Sequence, residues 1–225
     1  MKKVYGVLCT TLALAMALTA CGGGGGGAAT PAPATPAPAT QAPAPESAAP
    51  APESAAPDNG GGSAEVSGDA IQSPLIVTTC GQSPGAVMIN MVAVQAGFTS
   101  TSDNGLSADT FEAGDIKTLI VTTGTSMKGM GAAGTDVDSE IERCEALIKA
   151  AKDAGVTVVG AHVEGMARRT DNSDQRSIDS VLALCDVILV VEESDSDGFF
   201  SNYATEHDLP IITVKDALDI ASVLK

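Results

Sequence analysis

The pattern of apolar and polar positions divides the chain into three stretches. After Lys2 and Lys3, Val4 to Leu18 form one apolar run. It has the length of a signal-peptide core and is too short for a comfortable membrane span. From Gly22 to Ser63 large apolar residues almost vanish. From Ile71 onward, short β-branched runs alternate with segments of helical period.

The runs Leu75 to Thr79, Thr118 to Thr123, Val156 to Val163, Val187 to Val191 and Ile211 to Val214 predict strands, and Phe98 to Thr101 predicts a shorter one. Helices are predicted over Pro84 to Ala96, Asp136 to Ala154, Gln175 to Leu184, Phe199 to His207 and Ala217 to Leu224. The strongest is Asp136 to Ala154, where Val137, Ile141, Cys144, Ile148 and Ala151 recur at steps of four and three and so share one face. Ser83 is the expected N-cap of the first helix, with Pro84 in its first turn and Gly97 as its stop. Thr135 with Asp138 resembles a capping box for the long helix.

Near-continuous apolar strands alternating with helices predict an α/β domain, with a mostly parallel sheet covered on both faces. Right-handed crossovers make this a doubly wound, Rossmann-like or flavodoxin-like sandwich of five or six strands. The organisation expected is a leader over 1–20, a tether over 21–70 and one α/β domain over 71–225.

The middle stretch changes the picture through its composition. Six glycines run from Gly22 to Gly27, and nine of the twelve prolines lie between Pro31 and Pro57. Proline lacks an N–H and fixes φ, and nothing here offsets the entropy of ordering. A polyproline II spacer between glycine joints is expected, with a reach on the order of 90 Å for Thr30 to Pro57.

Charge narrows the partners. Residues 64–225 carry 25 Asp and Glu against 10 Lys and Arg, a net of −15. Such a surface repels phosphate backbones and anionic lipid alike, which argues against nucleic acid and against lying on the membrane. With no Trp and only Tyr5 and Tyr203 among the tyrosines, aromatic platforms are not expected.

Leu18-Thr19-Ala20-Cys21 closes the leader and resembles the lipobox of bacterial lipoproteins. The resemblance implies cleavage before Cys21 and lipid on its thiol, giving an exported domain anchored to the outer face of the cell membrane.

In doubly wound sheets ligands bind beyond the carboxyl ends of the strands. That rule selects Cys80 to Gly85, Ser102 to Asn104, Gly124 to Thr135, Glu164 to Asp174, and Glu192 to Asp197. The first is a strand–turn–helix junction whose free N–H groups favour an anion, with Gln82 and Ser83 as further donors. The second glycine-rich turn offers Thr125, Ser126 and Lys128 and reads as a flexible covering loop. Its Gly129, Gly131 and Gly134 match a G-x-G-x-x-G spacing, but too far past the strand for a dinucleotide fingerprint. Arg168 and Arg169, two of the four arginines in the domain, follow a strand end beside Glu164. A guanidinium forks onto carboxylate or phosphate, so the pair is a candidate anion seat unless Glu164, Asp171 or Asp174 neutralises it.

Cys144 shares its helix's apolar face and Cys185 ends a helix, so both are expected in the core. Cys80 lies beside a helix N-terminus, where a thiol pKa falls, and with His162 on another strand end it is a weak candidate for Cys/His catalysis. One disulfide among these three thiols is compatible with the sequence, but spacing does not choose it. No G-x-S-x-G, H-E-x-x-H or C-x-x-C occurs, and no cofactor or metal is expected.

Four segments, Ile76 to Ser83, Gly124 to Gly134, Val163 to Arg169 and Val190 to Gly198, resemble those of a family of uncharacterised bacterial secreted lipoprotein domains. The resemblance runs from about Ser73 to the C-terminus. It implies one exported Rossmann-like α/β domain and brings no catalytic residues with it. Three functional readings stay open. They are a binding domain for a small anionic solute at the strand ends, a thiol-dependent hydrolase or transferase using Cys80, and a cell-surface protein-interaction module.

Overall fold

The computed structural model describes residues 70–225; the leader, Cys21 and nearly all of the tether lie outside the described residues. Six strands form one sheet: β1 (Leu75–Thr79), β2 (Ser100–Ser102), β3 (Thr118–Thr122), β4 (Thr157–His162), β5 (Val187–Val191) and β6 (Ile211–Val214). Their order is β2-β1-β3-β4-β5-β6 and every pairing is parallel. This is the flavodoxin-like doubly wound order with a sixth strand added beyond the fifth. Alternation along each strand sends side chains to two cores.

On one face Leu119 and Val121 of β3, Val158 of β4, and Ile188 and Val190 of β5 pack under three helices. These are α3 (Val137–Asp153), α4 (Asn172–Leu182) and α5 (Phe199–Glu206). On the other face Val77, Ile120, Val159, Ala161 and Leu189 pack under α1 (Gly85–Gln95) and a 3-10 segment at Ala217–Val223. The coverage is therefore unequal, three helices against one helix and a short 3-10 turn. Ile71 bridges Leu224, and the Ser73 N–H donates to the Lys225 carbonyl at 2.7 Å. The chain therefore enters the domain beside its C-terminus, at the amino ends of the strands.

The sheet, expected to be mostly parallel, is parallel throughout its six strands, and the α/β sandwich is the architecture the pattern predicts. The caps differ from the prediction. The backbone cap of α1 is Pro84, with no side-chain cap; the Ser83 hydroxyl and N–H turn inward to the Thr79 hydroxyl. Asp136, not Thr135, caps α3 by accepting the Ser139 N–H at 2.8 Å. The expected glycine-rich loop contains a helix, α2 (Met127–Ala133), capped by Ser126 and stopped by Gly134 at φ +70°. The last predicted helix is the 3-10 segment.

Candidate functional site

The five strand-end segments meet along one rim and are bonded each to the next. Gln82, at φ +57°, forms a bridge with Thr125 and donates its side-chain amide to the Asn104 carbonyl at 3.0 Å. The Ser126 N–H donates to the Gly81 carbonyl at 2.8 Å. Arg168 reaches the Thr125 carbonyl at 2.7 Å, and the Gly165 N–H donates to the Ser194 hydroxyl at 3.1 Å. The convergence inferred from the fold rule is present.

Two glycines permit this closeness. A Cβ on Gly129 would stand 2.3 Å from the Gln82 carbonyl oxygen, which lets α2 lie directly on the first turn. Gly81 has φ +125°, and a Cβ there would meet the Gly124 carbonyl oxygen at 2.7 Å. The crevice between β1 and β3, where a ligand is expected in this strand order, is thus filled by the chain's own turns.

The donors along the rim hold the chain's own carboxylates. Buried Glu140 accepts the Gly81 N–H at 3.1 Å, the Gln82 amide at 3.1 Å and the Arg143 guanidinium at 2.8 Å. Buried Asp174 accepts the N–H and hydroxyl of Thr125 at 2.8 and 2.7 Å, and the Thr170 N–H at 3.0 Å. Burial raises the Asp174 pKa, but the Thr170 and Thr125 donors outweigh it and hold the carboxyl below its ordinary value. At the start of α1 the Gly85 N–H donates to Glu164 at 2.9 Å.

The arginines are similarly engaged. Arg168 donates to Glu164 at 3.0 Å. Arg169 makes a two-point contact with Asp197 at 2.7 and 3.0 Å, donates to the Ser194 carbonyl, and lies 4.6 Å from the Phe199 ring centroid. Glu164 was a foreseeable partner; Asp197, twenty-eight residues from Arg169, was not. Lys128 stands exposed on α2.

Cys80 is fully buried, so its thiol is closed to a substrate in this state. His162 is also buried and has other partners: the Thr123 hydroxyl at 2.9 Å and the Gly165 carbonyl at 3.2 Å. Among the described residues no hydrogen bond joins Cys80 to His162. Cys144 and Cys185 are in the core as expected.

Residues 72–225 match the model of a family described as a domain of unknown function, DUF6305. The chain belongs to this family. No curated protein and no solved structure matches the chain. In this DUF6305 domain, Glu140 is the residue that the sequence did not point to, and Asp174, expected as a possible partner of the arginine pair, instead holds Thr125 and Thr170. Each lies near the rim end of its helix in register with the buried face, Glu140 four before Cys144 and Asp174 four before Ile178, and a carboxylate at such a position was the signal available.

Outside the rim, α1 presents a second feature. Val87, Met91 and Val94 are spaced four and three apart, forming a stripe directed away from the sheet, and are 44, 55 and 52 % exposed. Leu218, 73 % exposed, stands beside them on the 3-10 segment. Pro84, Val87, Met88, Met91, Val92, Gln95 and Leu218 line an open groove of about 340 Å³.

Proposed function

We propose that this DUF6305 chain is an exported, lipid-anchored domain that acts by presenting the α1 face to a protein partner at the cell envelope. The observation that carries this reading is the absence of charge along α1 and the chain that flanks it. From Ile71 to Ser102 there is no Asp, Glu, Lys, Arg or His, in a chain whose net charge is −16. The stripe of Val87, Met91 and Val94 lies within this uncharged stretch, Leu218 adjoins it from a segment that carries Asp216 and Asp219, and apolar surface gathered beside a groove is characteristic of a contact site. The acidic remainder of the domain repels anionic headgroups, which favours a protein partner over a lipid surface.

The anchor rests on Leu18-Thr19-Ala20-Cys21 behind its apolar run. Feeding cells an alkyne fatty acid is expected to label the wild-type chain and not Cys21→Ser; equal labelling of both would remove the anchor from the proposal.

The small-anion reading is supported less by the geometry. An incoming anion would have to displace Glu164 from Gly85 and Arg168, or Asp197 from Arg169. Catalysis by Cys80 would require the buried turn to open.

The interaction surface is tested by photo-crosslinking in cells. A photoreactive residue at Met91, Val94 or Leu218 is expected to give a discrete protein adduct, while one at exposed Glu142 on α3 gives none. Met91→Glu with Val94→Glu should abolish the adduct formed from Leu218 and change stability by no more than about 0.5 kcal/mol per site, as exposed substitutions do. Adducts from all positions alike, or from none, would count against the α1 face.

A further inference from the structure

The geometry points to a disulfide between Cys80 and Cys144 in the mature chain, with Cys185 left as a thiol. This rests on the reading that the chain is exported to an oxidising compartment. Each sulfur lies against the backbone that carries the other. The Cys144 Sγ is 3.6 Å from the Thr79 carbonyl oxygen, and that carbonyl belongs to the peptide that begins Cys80. The Cys80 Sγ is 3.8 Å from the Glu140 carbonyl oxygen, one helical turn before Cys144 on α3. Both thiols are fully buried in the same core.

Cys185 is placed elsewhere. Its Sγ donates to the Leu182 carbonyl at 3.6 Å and packs under Gly160, where a Cβ would lie 3.2 Å from it. The odd thiol that left the pairing undetermined in the sequence is thereby assigned.

Burial in the folded domain pushes the Cys185 thiol up to about 11, which keeps it protonated once the core has closed. The oxidant is a disulfide donor, either a small molecule or a thiol oxidoreductase. One of the two thiols, Cys80 or Cys144, attacks one donor sulfur as its thiolate, forming a mixed disulfide and releasing a thiolate. The other thiolate then attacks the protein sulfur of that mixed disulfide and releases the second. Two protein thiols become one disulfide, two protons are lost, and the donor is reduced to two thiols. Because both sulfurs are sealed in the finished domain, closure belongs to folding. The bond then ties the β1 turn to α3 behind the contact between Gly81 and Glu140.

The test uses the full chain with Cys9→Ser and Cys21→Ser, refolded with oxidised and reduced glutathione, blocked with N-ethylmaleimide under denaturing conditions and mapped by mass spectrometry. One linked pair, Cys80 to Cys144, with maleimide on Cys185 is expected, and Cys185→Ala should leave that pair intact. The oxidised form should melt roughly 5–10 °C above the reduced form. Maleimide on all three cysteines of the refolded chain, or a bridge that includes Cys185, overturns the inference. A parallel sample blocked in intact cells separates the two premises. A bridge there supports both pairing and export; a bridge formed on refolding but absent in cells sustains the pairing and tells against export.

Discussion

Replacing Glu140 with alanine is expected to cost the domain about 3–5 kcal/mol, the usual loss when one member of a buried ion pair is removed and the other is left behind. The Glu140 and Arg143 side chains are only 4 and 15 % exposed and meet at 2.8 Å. Arg143 also donates to the carbonyls of Leu106 at 2.6 Å and Thr79 at 2.5 Å. It would stay anchored in place with its charge uncompensated. The Gly81 N–H would lose its acceptor, and the Gln82 amide would keep only Asn104. Glu140→Gln retains one acceptor oxygen and the shape, so it should recover part of the loss. In urea unfolding, Glu140→Ala with Arg143→Met should be less destabilised than the two single losses added together, because each single change already breaks the same pair. A loss below about 1 kcal/mol for Glu140→Ala would mean that the rim is held by backbone contacts alone and that the carboxylate is incidental.

That latch also marks the boundary between what the sequence discloses and what it does not. Strands β1, β3, β4, β5 and β6 were legible because a buried parallel strand needs no alternation and appears as a bare apolar run. The rim was legible as a consequence of the fold class, since doubly wound sheets place their turns at one end. The seal was not legible. Glu140 lies 58 positions from Gln82 and Asp174 lies 49 from Thr125, and no local pattern links residues so far apart. Helix α2 was missed because Gly129 and Gly131 weaken any helical propensity. Here Gly129 is required by the close approach to Gln82, while Ser126 and buried Met130 hold the helix in place. The pair Met127 and Met130, three apart after a serine, was the signal available. Arg168 and Arg169 were correctly singled out as unusual, but their neutralisation by Glu164 and Asp197 depends on how the turns are stacked.

The same stacking shifts attention from the rim to α1. A turn that donates its N–H groups to internal carboxylates has few left for a solute, whereas a helix apolar on both its inner and outer faces is only half covered. Ile89, Val92 and Ala93 are buried against the sheet, and Val87, Met91 and Val94 are left exposed by a layer that contains only one short 3-10 segment beside them. The unequal coverage of the sheet is thus the structural origin of the proposed contact face.

Acidification from pH 7 to 4 is expected to remove about 3 kcal/mol of stability through His162 alone. Burial depresses its pKa from 6.5 to about 4, only partly opposed by the Gly165 carbonyl. That carbonyl can only accept, so Nε2 carries the proton, and Nδ1 faces the Thr123 hydroxyl. A second proton would place a cation in a closed site, stacked on Phe200 at 5.3 Å and near the Arg169 charge. The unfolded chain takes up its proton near pH 6.5, whereas the folded chain resists until about pH 4. Stability is therefore flat above the unfolded value, falls between the two, and has lost this contribution fully below the folded one. The carboxyls of Asp136, Asp174 and Asp197 are held below 3.8, so their losses begin lower and do not overlap most of this window. In chemical denaturation at a series of pH values, His162→Gln should flatten the decline between pH 6.5 and 4 and leave the steeper acid limb in place. Parallel curves for wild type and variant across that interval would show that the histidine is accommodated as readily charged as neutral, and the buried, singly protonated assignment would fall.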